Sequence, residues 1–379
     1  MKILMVSMVS IHFTRWVAQL KDSGHEVYWF DPLDGNYENQ RLNWLHYCKQ
    51  WRLKWNFPGR YFIKNKFPWL YKLIQRINER PIDKAFEAYL QEVQPDVVHS
   101  FVMYMSCAPI LEVMKKHHHI KWIYSAWGND LYFYQNDSAR LREIKACLPH
   151  IDYMFADCAR DITIAKKHGF KGASLGVYPT GGGYDLAELT NFRKPLKERN
   201  IILIKGYEHH FGRCNMVLQA LLSLKQELSD YKILVYADNE AVQMFVSKYG
   251  LDRWSNFKLL GKISQKELIK LKGEALIYIG NSISDGMPNT VLEAIIMGTF
   301  PIQSNPGGAT EEIIENNTNG LLIKDPMDSN HIADLLKYAM SNRAMLESAF
   351  VYNLALIKRL DYHVIKEKVL KAYDSISIN

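Results

Sequence analysis

Two carboxylates, Asp285 and Glu293, stand on either side of a Gly286-Met287-Pro288-Asn289-Thr290 turn that runs into the apolar stretch 291–297 and stops at Gly298. A Pro-Asn-Thr run ahead of apolar periodicity starts a helix, whose first amides have no internal partner and favour an incoming anion. A second turn, Ser304-Asn-Pro-Gly307-Gly308, follows the apolar segment Phe300–Gln303 and leads into Thr310, where another helix start is expected over Thr310–Glu315. Two sets of such amides in one crevice suit a diphosphate. Carboxylates beside a diphosphate cannot touch it, because like charges repel; they take hydroxyl donors instead. Each such bond is charge-assisted and worth about 1.5–3 kcal/mol. Amides for an anion and flanking acids for polyols are the anatomy of a nucleotide-sugar site. A purely structural reading stands beside this one. Thr290-Val-Leu-Glu293 fits the S/T-x-x-E capping box, in which Glu293 only closes its own helix, and Asp-Gly is ordinary turn chemistry.

The elements around these residues alternate. Strands are expected at Ile3–Ser7, Glu26–Phe30, Pro95–His99, Lys121–Ser125, Tyr153–Ala156 and Ala173–Val177, with helices at Phe13–Ser23 and Asp83–Glu92. Gly181-Gly-Gly183 and the charged stretch Arg193–Asn200 mark a connection, after which the pattern restarts. Strands follow at Ile201–Lys205, Lys232–Ala237, Phe257–Leu260, Ala275–Ile279 and Phe300–Gln303, with helices at Cys214–Ser229, Lys266–Lys272 and Thr290–Met297. The fold class is therefore α/β: two Rossmann-like parallel-sheet domains facing across a cleft, with ligand at the carboxyl ends of the strands. We place the first domain at residues 1–190, the second at 191–355, and a C-terminal helical segment at 356–379 that packs back towards the first.

Composition agrees with a globular protein of two domains: 379 residues, 48% apolar and 23% charged. Five scattered cysteines without a C-x-x-C fit a reduced, cytoplasmic compartment. Met1–Ser10 has the apolar character of a short signal core, but no small-residue cleavage site follows, so a buried first strand is expected. No apolar run approaches the roughly 18 residues of a membrane span. Charge is concentrated in residues 41–80, where ten Lys/Arg face Glu79 alone among ten aromatics, Trp44, Trp51, Trp55 and Trp69 included. Cations interleaved with tryptophan suit an anionic membrane surface. A solvated loop with its rings packed on its own domain is the bland alternative, and nucleic acid, which uses the same residue types, is not expected as a partner.

The cassette from Asp285 to Pro301 resembles the E-x7-E signature of the retaining glycosyltransferase family 4. The likeness continues through Gly307-Gly308-Ala-Thr-Glu311 and Asn319-Gly320-Leu-Leu-Ile. It extends back through Leu260-Gly-Lys262-Ile263-Ser264-x-x-Glu267-Leu268, which is similar to that family's base-binding loop. The N-terminal Gly24-His-Glu-Val27 and Pro95-Asp-Val-Val-His99 match its strand contexts. The resemblance implies a GT-B fold, with the donor in the second domain and the acceptor in the first. It implies transfer with retention from a nucleoside diphosphate, UDP being commonest, and no essential metal or other cofactor; no D-x-D occurs here. Glu293 would bind the ribose diol, Asp285 the transferred sugar, and Gly286 to Thr290 the rest of the donor, with Lys262 and Ile263 at the base and Gly307 and Gly308 at the phosphates.

Three positions depart from the family pattern. The first acid is Asp285, one methylene shorter than glutamate. The basic motif after the first strand of the second domain is rearranged to Ile204-Lys205-Gly-Tyr-Glu-His-His-Phe-Gly-Arg213, leaving Lys205 and Arg213 as the cations for the leaving group; surface charges at element ends are the alternative. Trp127 replaces the histidine usual before Gly-x-Asp, so that Asp130 either contacts hydroxyls or forms a turn. His12, after the first strand, faces the acceptor side or packs at a helix start. The tract His117–His119 is expected to be a solvated loop, since three consecutive side chains cannot converge on one tetrahedral metal.

These features predict a cytoplasmic glycosyltransferase at the inner face of the cell membrane, extending a surface glycan or a lipid-linked acceptor. The alternatives are a nucleotide-sugar epimerase or phosphorylase of the same fold and a non-catalytic glycan- or membrane-binding protein. Glu293→Ala is expected to abolish transfer while costing less than about 2 kcal/mol of stability.

Overall fold

The computed structural model describes residues 1–35 and 40–377 and divides into two compact units. Residues 378 and 379, the end of the C-terminal segment, lie outside the described residues. The first unit comprises 1–156, 161–182 and 367–379; the second comprises 157–160 and 183–366.

The strands in chain order are β1 (Lys2–Val6), β2 (Glu26–Phe30), β3 (His46–Cys48), β4 (Val97–Phe101), β5 (Lys121–Ala126), β6 (Tyr153–Ala156), β7 (Ala173–Val177), β8 (Ile201–Lys205), β9 (Lys232–Tyr236), β10 (Phe257–Leu259), β11 (Ala275–Gly280), β12 (Phe300–Ser304) and β13 (Leu321–Ile323). The first seven form one sheet in the order β3-β2-β1-β4-β5-β6-β7, and the other six a second in the order β10-β9-β8-β11-β12-β13. All strand pairs in both are parallel. Sheets of this kind are covered on both faces, so their central strands are continuous apolar runs, as in the fully buried Ala275-Leu-Ile-Tyr-Ile-Gly280 of β11.

Each sheet reverses its winding direction once. In the first the chain leaves β1 towards β2 and β3 and returns to β4; in the second it leaves β8 towards β9 and β10 and returns to β11. Ligands in open parallel sheets bind beyond the strand carboxyl ends at such a switch point. In the second sheet that point carries Lys205, the last residue of β8, and the turn that follows β11. In the first it carries the segment that leads to His12.

Helix ends depend on short polar residues. Ser10 caps the helix Ile11–Ala18, its Oγ accepting from Phe13 N at 3.0 Å, so this helix starts two residues before the apolar spacing implies. The helix expected at Cys214–Ser229 ends at Leu222. The helix expected at Thr310–Glu315 is a single turn over Thr310–Glu312. In the first unit Tyr373, near the end of the helix Tyr362–Asp374, is buried with Trp16 and His99. Its hydroxyl accepts from Trp16 Nε1 at 3.2 Å and lies 2.6 Å from His99 Nδ1, while His99 Nε2 meets Ser125 Oγ at 2.8 Å. Burial lowers the His99 pKa, so this clasp holds a neutral imidazole.

Candidate functional site

The turn from Asn281 to Pro288 leaves β11 and feeds the helix Asn289–Ile296. That helix has Pro288 at its N-cap, a residue that supplies no side-chain cap bond of the kind a serine or aspartate would. Thr290 is inside the first turn, its Oγ1 receiving the Tyr278 hydroxyl at 3.0 Å. Glu293 does not reach back to cap anything. Its Oε2 accepts from Lys272 Nζ at 2.5 Å and its Oε1 from Gln265 Nε2 at 2.7 Å. The capping-box reading of Thr290 and Glu293 is therefore replaced by a buried ion pair. A capping box does exist ten residues before the end of the preceding helix: Ser264 Oγ accepts from Glu267 N at 3.2 Å, and Glu267 Oε2 accepts from Ser264 N at 2.9 Å.

Lys272 has no solvent exposure and Glu293 almost none. Burial lowers the lysine pKa and the Glu293 carboxylate opposes that shift. The ammonium also lies 5.7 Å from the centre of the Tyr278 ring. A carboxylate has about four acceptor positions, and the two bonds to Lys272 and Gln265 leave Glu293 capacity for two more.

The loop after β8 lies along the turn after β11. Arg213 N donates to Asn281 O and Ile283 N to Phe211 O, both at 2.9 Å. This brings the 205–213 loop, with both of its candidate cations, to the Asp285 turn. The loop is tight at Gly212, where a Cβ would stand 2.0 Å from Tyr207 O. Arg213 Nη1 is spent on that geometry, donating to the carbonyls of His209 at 2.8 Å and Gly212 at 2.7 Å. Lys205 instead places its ammonium over the Tyr207 ring, 5.3 Å from the centroid. His209 Nδ1 accepts from Phe211 N at 2.9 Å, and burial lowers its pKa, so it is a neutral ring in this loop. Sequence reasoning passed over His209, and also Ser284. The Ser284 hydroxyl, in the turn between β11 and the helix Asn289–Ile296, is buried and has no hydrogen-bond partner among the described residues.

The remaining donor-side candidates divide. Asn289 Oδ1 accepts from the Tyr184 hydroxyl at 2.9 Å, and Met287 and Pro288 are buried. Gly286 N donates to Asp285 Oδ1 at 3.0 Å, and a Cβ on Gly286 would collide with the Asp157 carboxylate at 2.2 Å. Lys262 is exposed beside the half-buried Ile263, just past Gly261, whose amide donates to Asp238 Oδ1 at 2.6 Å. Gly307 and Gly308 take positive φ, 62° and 86°. The amides of Thr310 and Glu311 are already taken by Asn305 Oδ1 at 3.0 and 3.1 Å. The expectation of two helix termini pointing at one anion is thus corrected: the second is a single turn whose first two amides are already satisfied. Arg160, which the sequence did not single out, ties this loop to the first by donating Nη1 to Asp285 O at 2.9 Å and Pro306 O at 2.6 Å.

In the first unit His12 and Trp127 meet, ring centres 5.9 Å apart and edge to face, and Thr180 Oγ1 lies 3.1 Å from His12 Nδ1. Asp130 is turned into its own fold. Both carboxylate oxygens accept from Met103 N at 2.8 Å, and the Tyr124 hydroxyl donates to Oδ2. These bonds hold the exit from β4, where Val102 takes a φ of 70°, strained for a β-branched residue. Burial pushes the Asp130 pKa up to about 7. The turn-forming reading of Asp130 is the one its surroundings support. His118 and His119 are exposed after a helix end.

Residues 188–353 match the family model described as glycosyl transferases group 1. Over nearly the whole chain the structure is similar to a sucrose-phosphate synthase from Thermosynechococcus elongatus, at 16% identity, 98% of each chain covered and a TM-score of 0.72. It is also similar to HepE of Anabaena, solved in complex with UDP and glucose, at 14% identity, with 99% of this chain and 100% of that chain covered and a TM-score of 0.70. The lipopolysaccharide outer core galactosyltransferase WaaB matches at 15% identity, with 99% of each chain covered and a TM-score of 0.69. A search of curated proteins returns no match. At these identities the structural likeness establishes the fold, GT-B with two parallel-sheet domains. The family-model match falls within the second unit, where residues 188–353 are similar to a group 1 glycosyltransferase domain.

Proposed function

We propose that the protein is a retaining glycosyltransferase that moves a sugar from a nucleoside diphosphate, a UDP-sugar, to a glycan or lipid-linked acceptor in surface polysaccharide assembly. One observation carries the donor assignment. A helix start at Asn289, with Pro288 at its N-cap, follows the switch-point strand β11, with Asp285 before it, the ion-paired Glu293 on its second turn, and the 205–213 loop alongside. The helix amides and Lys205 take the diphosphate. Glu293, held by Lys272 and Gln265, accepts the ribose hydroxyls with its remaining lone pairs. Asp285 and the buried Ser284 hydroxyl face the transferred sugar. The choice of UDP is supported by the Anabaena neighbour's complex with UDP and glucose, and the glycan acceptor by the neighbour named as a lipopolysaccharide galactosyltransferase.

In the transfer step the bond from the anomeric carbon to the leaving phosphate oxygen breaks while the acceptor oxygen bonds to the same face of that carbon. The acceptor proton passes to the leaving phosphate oxygen, and Lys205 stabilises the charge that develops there. No step is assigned to a metal. A peripheral position at the inner face of the membrane, through residues 41–80, belongs to the same reading; no helix among the described residues is long and apolar enough to cross a membrane.

The test is a thermal-shift panel of UDP-, GDP- and ADP-sugars, followed by turnover with candidate acceptors and NMR assignment of the product anomer. A UDP-sugar at about 100 times its Kd should add roughly 2.7 kcal/mol of stability. Inversion at the anomeric carbon refutes the retaining mechanism. Conversion of the donor to its epimer without any acceptor moves the assignment to an epimerase.

A further inference from the structure

The basic aromatic stretch folds into two short helices, Arg60–Lys66 and Pro68–Asn78, which half-bury Ile63, Leu70, Tyr71 and Ile74 but leave their other large apolar side chains exposed. On the second helix the buried positions are Gln75 and Asn78, both polar. Trp69, Lys72, Leu73, Arg76 and Ile77, spaced i, i+3, i+4, i+7 and i+8, form one exposed face. Trp69 is 68% exposed and Ile77 65%. The first helix buries no residue fully, leaving Tyr61 and Phe62 67% and 61% exposed.

Hydrogen bonds fix this orientation. The Asn78 amide clasps the backbone of Trp55, donating to its carbonyl at 2.9 Å and accepting its N–H at 3.0 Å. Lys54 Nζ donates to Ile77 O at 2.6 Å, and Arg80 N to Arg52 O at 2.8 Å. The hairpin is pinned at its base, so the apolar face is held outward. Trp51, by contrast, is buried, with Nε1 donating to Asp31 O at 2.9 Å and its ring stacked on Phe30. The bland reading of the stretch is correct for that tryptophan and fails for Trp69.

Charge identifies what covers the face. Arg60, Lys64, Lys66, Lys72 and Arg76 surround the exposed rings, and no Asp or Glu occurs between 41 and 78. We propose that the Arg60–Asn78 hairpin is a docking surface for an anionic lipid bilayer, with Tyr61, Phe62, Trp69, Leu73 and Ile77 inserted at headgroup level and the five cations against lipid phosphates. This narrows the membrane reading above to one face. It excludes Lys54, whose ammonium is already used at the helix end.

The experiment sediments the full chain with vesicles of phosphatidylcholine alone and with phosphatidylglycerol added. The parent partitions onto the anionic vesicles and is released by about 0.5 M salt. The double variant Trp69→Ser/Ile77→Ser lowers partitioning about tenfold or more. Lys64→Gln/Lys66→Gln/Lys72→Gln lowers it about fivefold per cation at low salt and flattens the salt dependence. Both variants keep the parent's thermal shift with UDP, which separates a failed docking surface from a failed donor site. Equal partitioning onto neutral and anionic vesicles, or variants that partition like the parent, overturns the proposal. So does self-association through Trp69 and Ile77 that vesicles do not displace, which would make a second copy the partner.

Discussion

Lys272 and Glu293 form an ion pair inside the second unit, Nζ to Oε2 at 2.5 Å, joining the helix Gln265–Glu274 to the helix Asn289–Ile296. Removing one member of such a pair strands the other charge in a buried place, which costs about 3–5 kcal/mol. The expectation that Glu293→Ala costs less than about 2 kcal/mol is revised accordingly. Glu293→Gln and Lys272→Met should each destabilise by several kcal/mol in urea unfolding, and the double variant by much less than their sum. A coupling below about 0.5 kcal/mol would show that the pair is not a unit.

Lys205 and Arg213 occupy one loop but should separate on mutation. Arg213 Nη1 holds loop carbonyls, so Arg213→Met should lower stability by about 1–3 kcal/mol as well as activity. Lys205→Met should leave stability within about 1 kcal/mol and reduce kcat on the order of a hundredfold, with little change in acceptor KM. An unchanged kcat for Lys205→Met removes Lys205 from the leaving-group role.

Gln265 reaches Glu293 from the first turn of its helix. Gln265→Ala frees one carboxylate oxygen; on the proposed donor site, where Glu293 takes the ribose and Gln265 touches no reacting atom, it should raise the donor KM by about three- to tenfold while kcat stays near the parent value. A fall in kcat with KM unchanged would contradict that role.

Asp130 gives a pH dependence with a definite sign. Its pKa is raised to about 7 in the fold from an ordinary 3.8, so the folded state binds the extra proton. The associated stability is present below the unfolded value and is lost as pH rises through the folded one. Between about pH 5 and pH 8 the parent should lose on the order of 2–3 kcal/mol relative to Asp130→Asn. A difference between the two proteins that is constant with pH contradicts the assignment.

Much of the fold was legible because buried parallel strands are short apolar runs. Tyr153–Ala156, Ala173–Val177 and Ile201–Lys205 are found where the pattern places them. The strand β3 was not, because His46-Tyr-Cys48 at a sheet edge has no apolar run to announce it. The Asp285 and Glu293 cassette was legible as a motif, but the partner of Glu293 lies 21 residues away on another helix. A signal for it existed: Lys272 falls one turn beyond Leu268 on the buried face of its helix, a position where a lysine needs a counter-charge. Nothing local announced that Asn305 would satisfy the amides of Thr310 and Glu311, since that depends on how the glycine turn folds.

The most direct measurement is a crystal structure of the protein with a bound UDP-sugar. The account predicts the diphosphate at the N-terminus of the helix Asn289–Ile296 and both ribose hydroxyls within about 3 Å of the Glu293 carboxylate, with the Lys272 pair intact. A nucleotide bound elsewhere in the chain, or a ribose that leaves Glu293 to Lys272 and Gln265 alone, would contradict it.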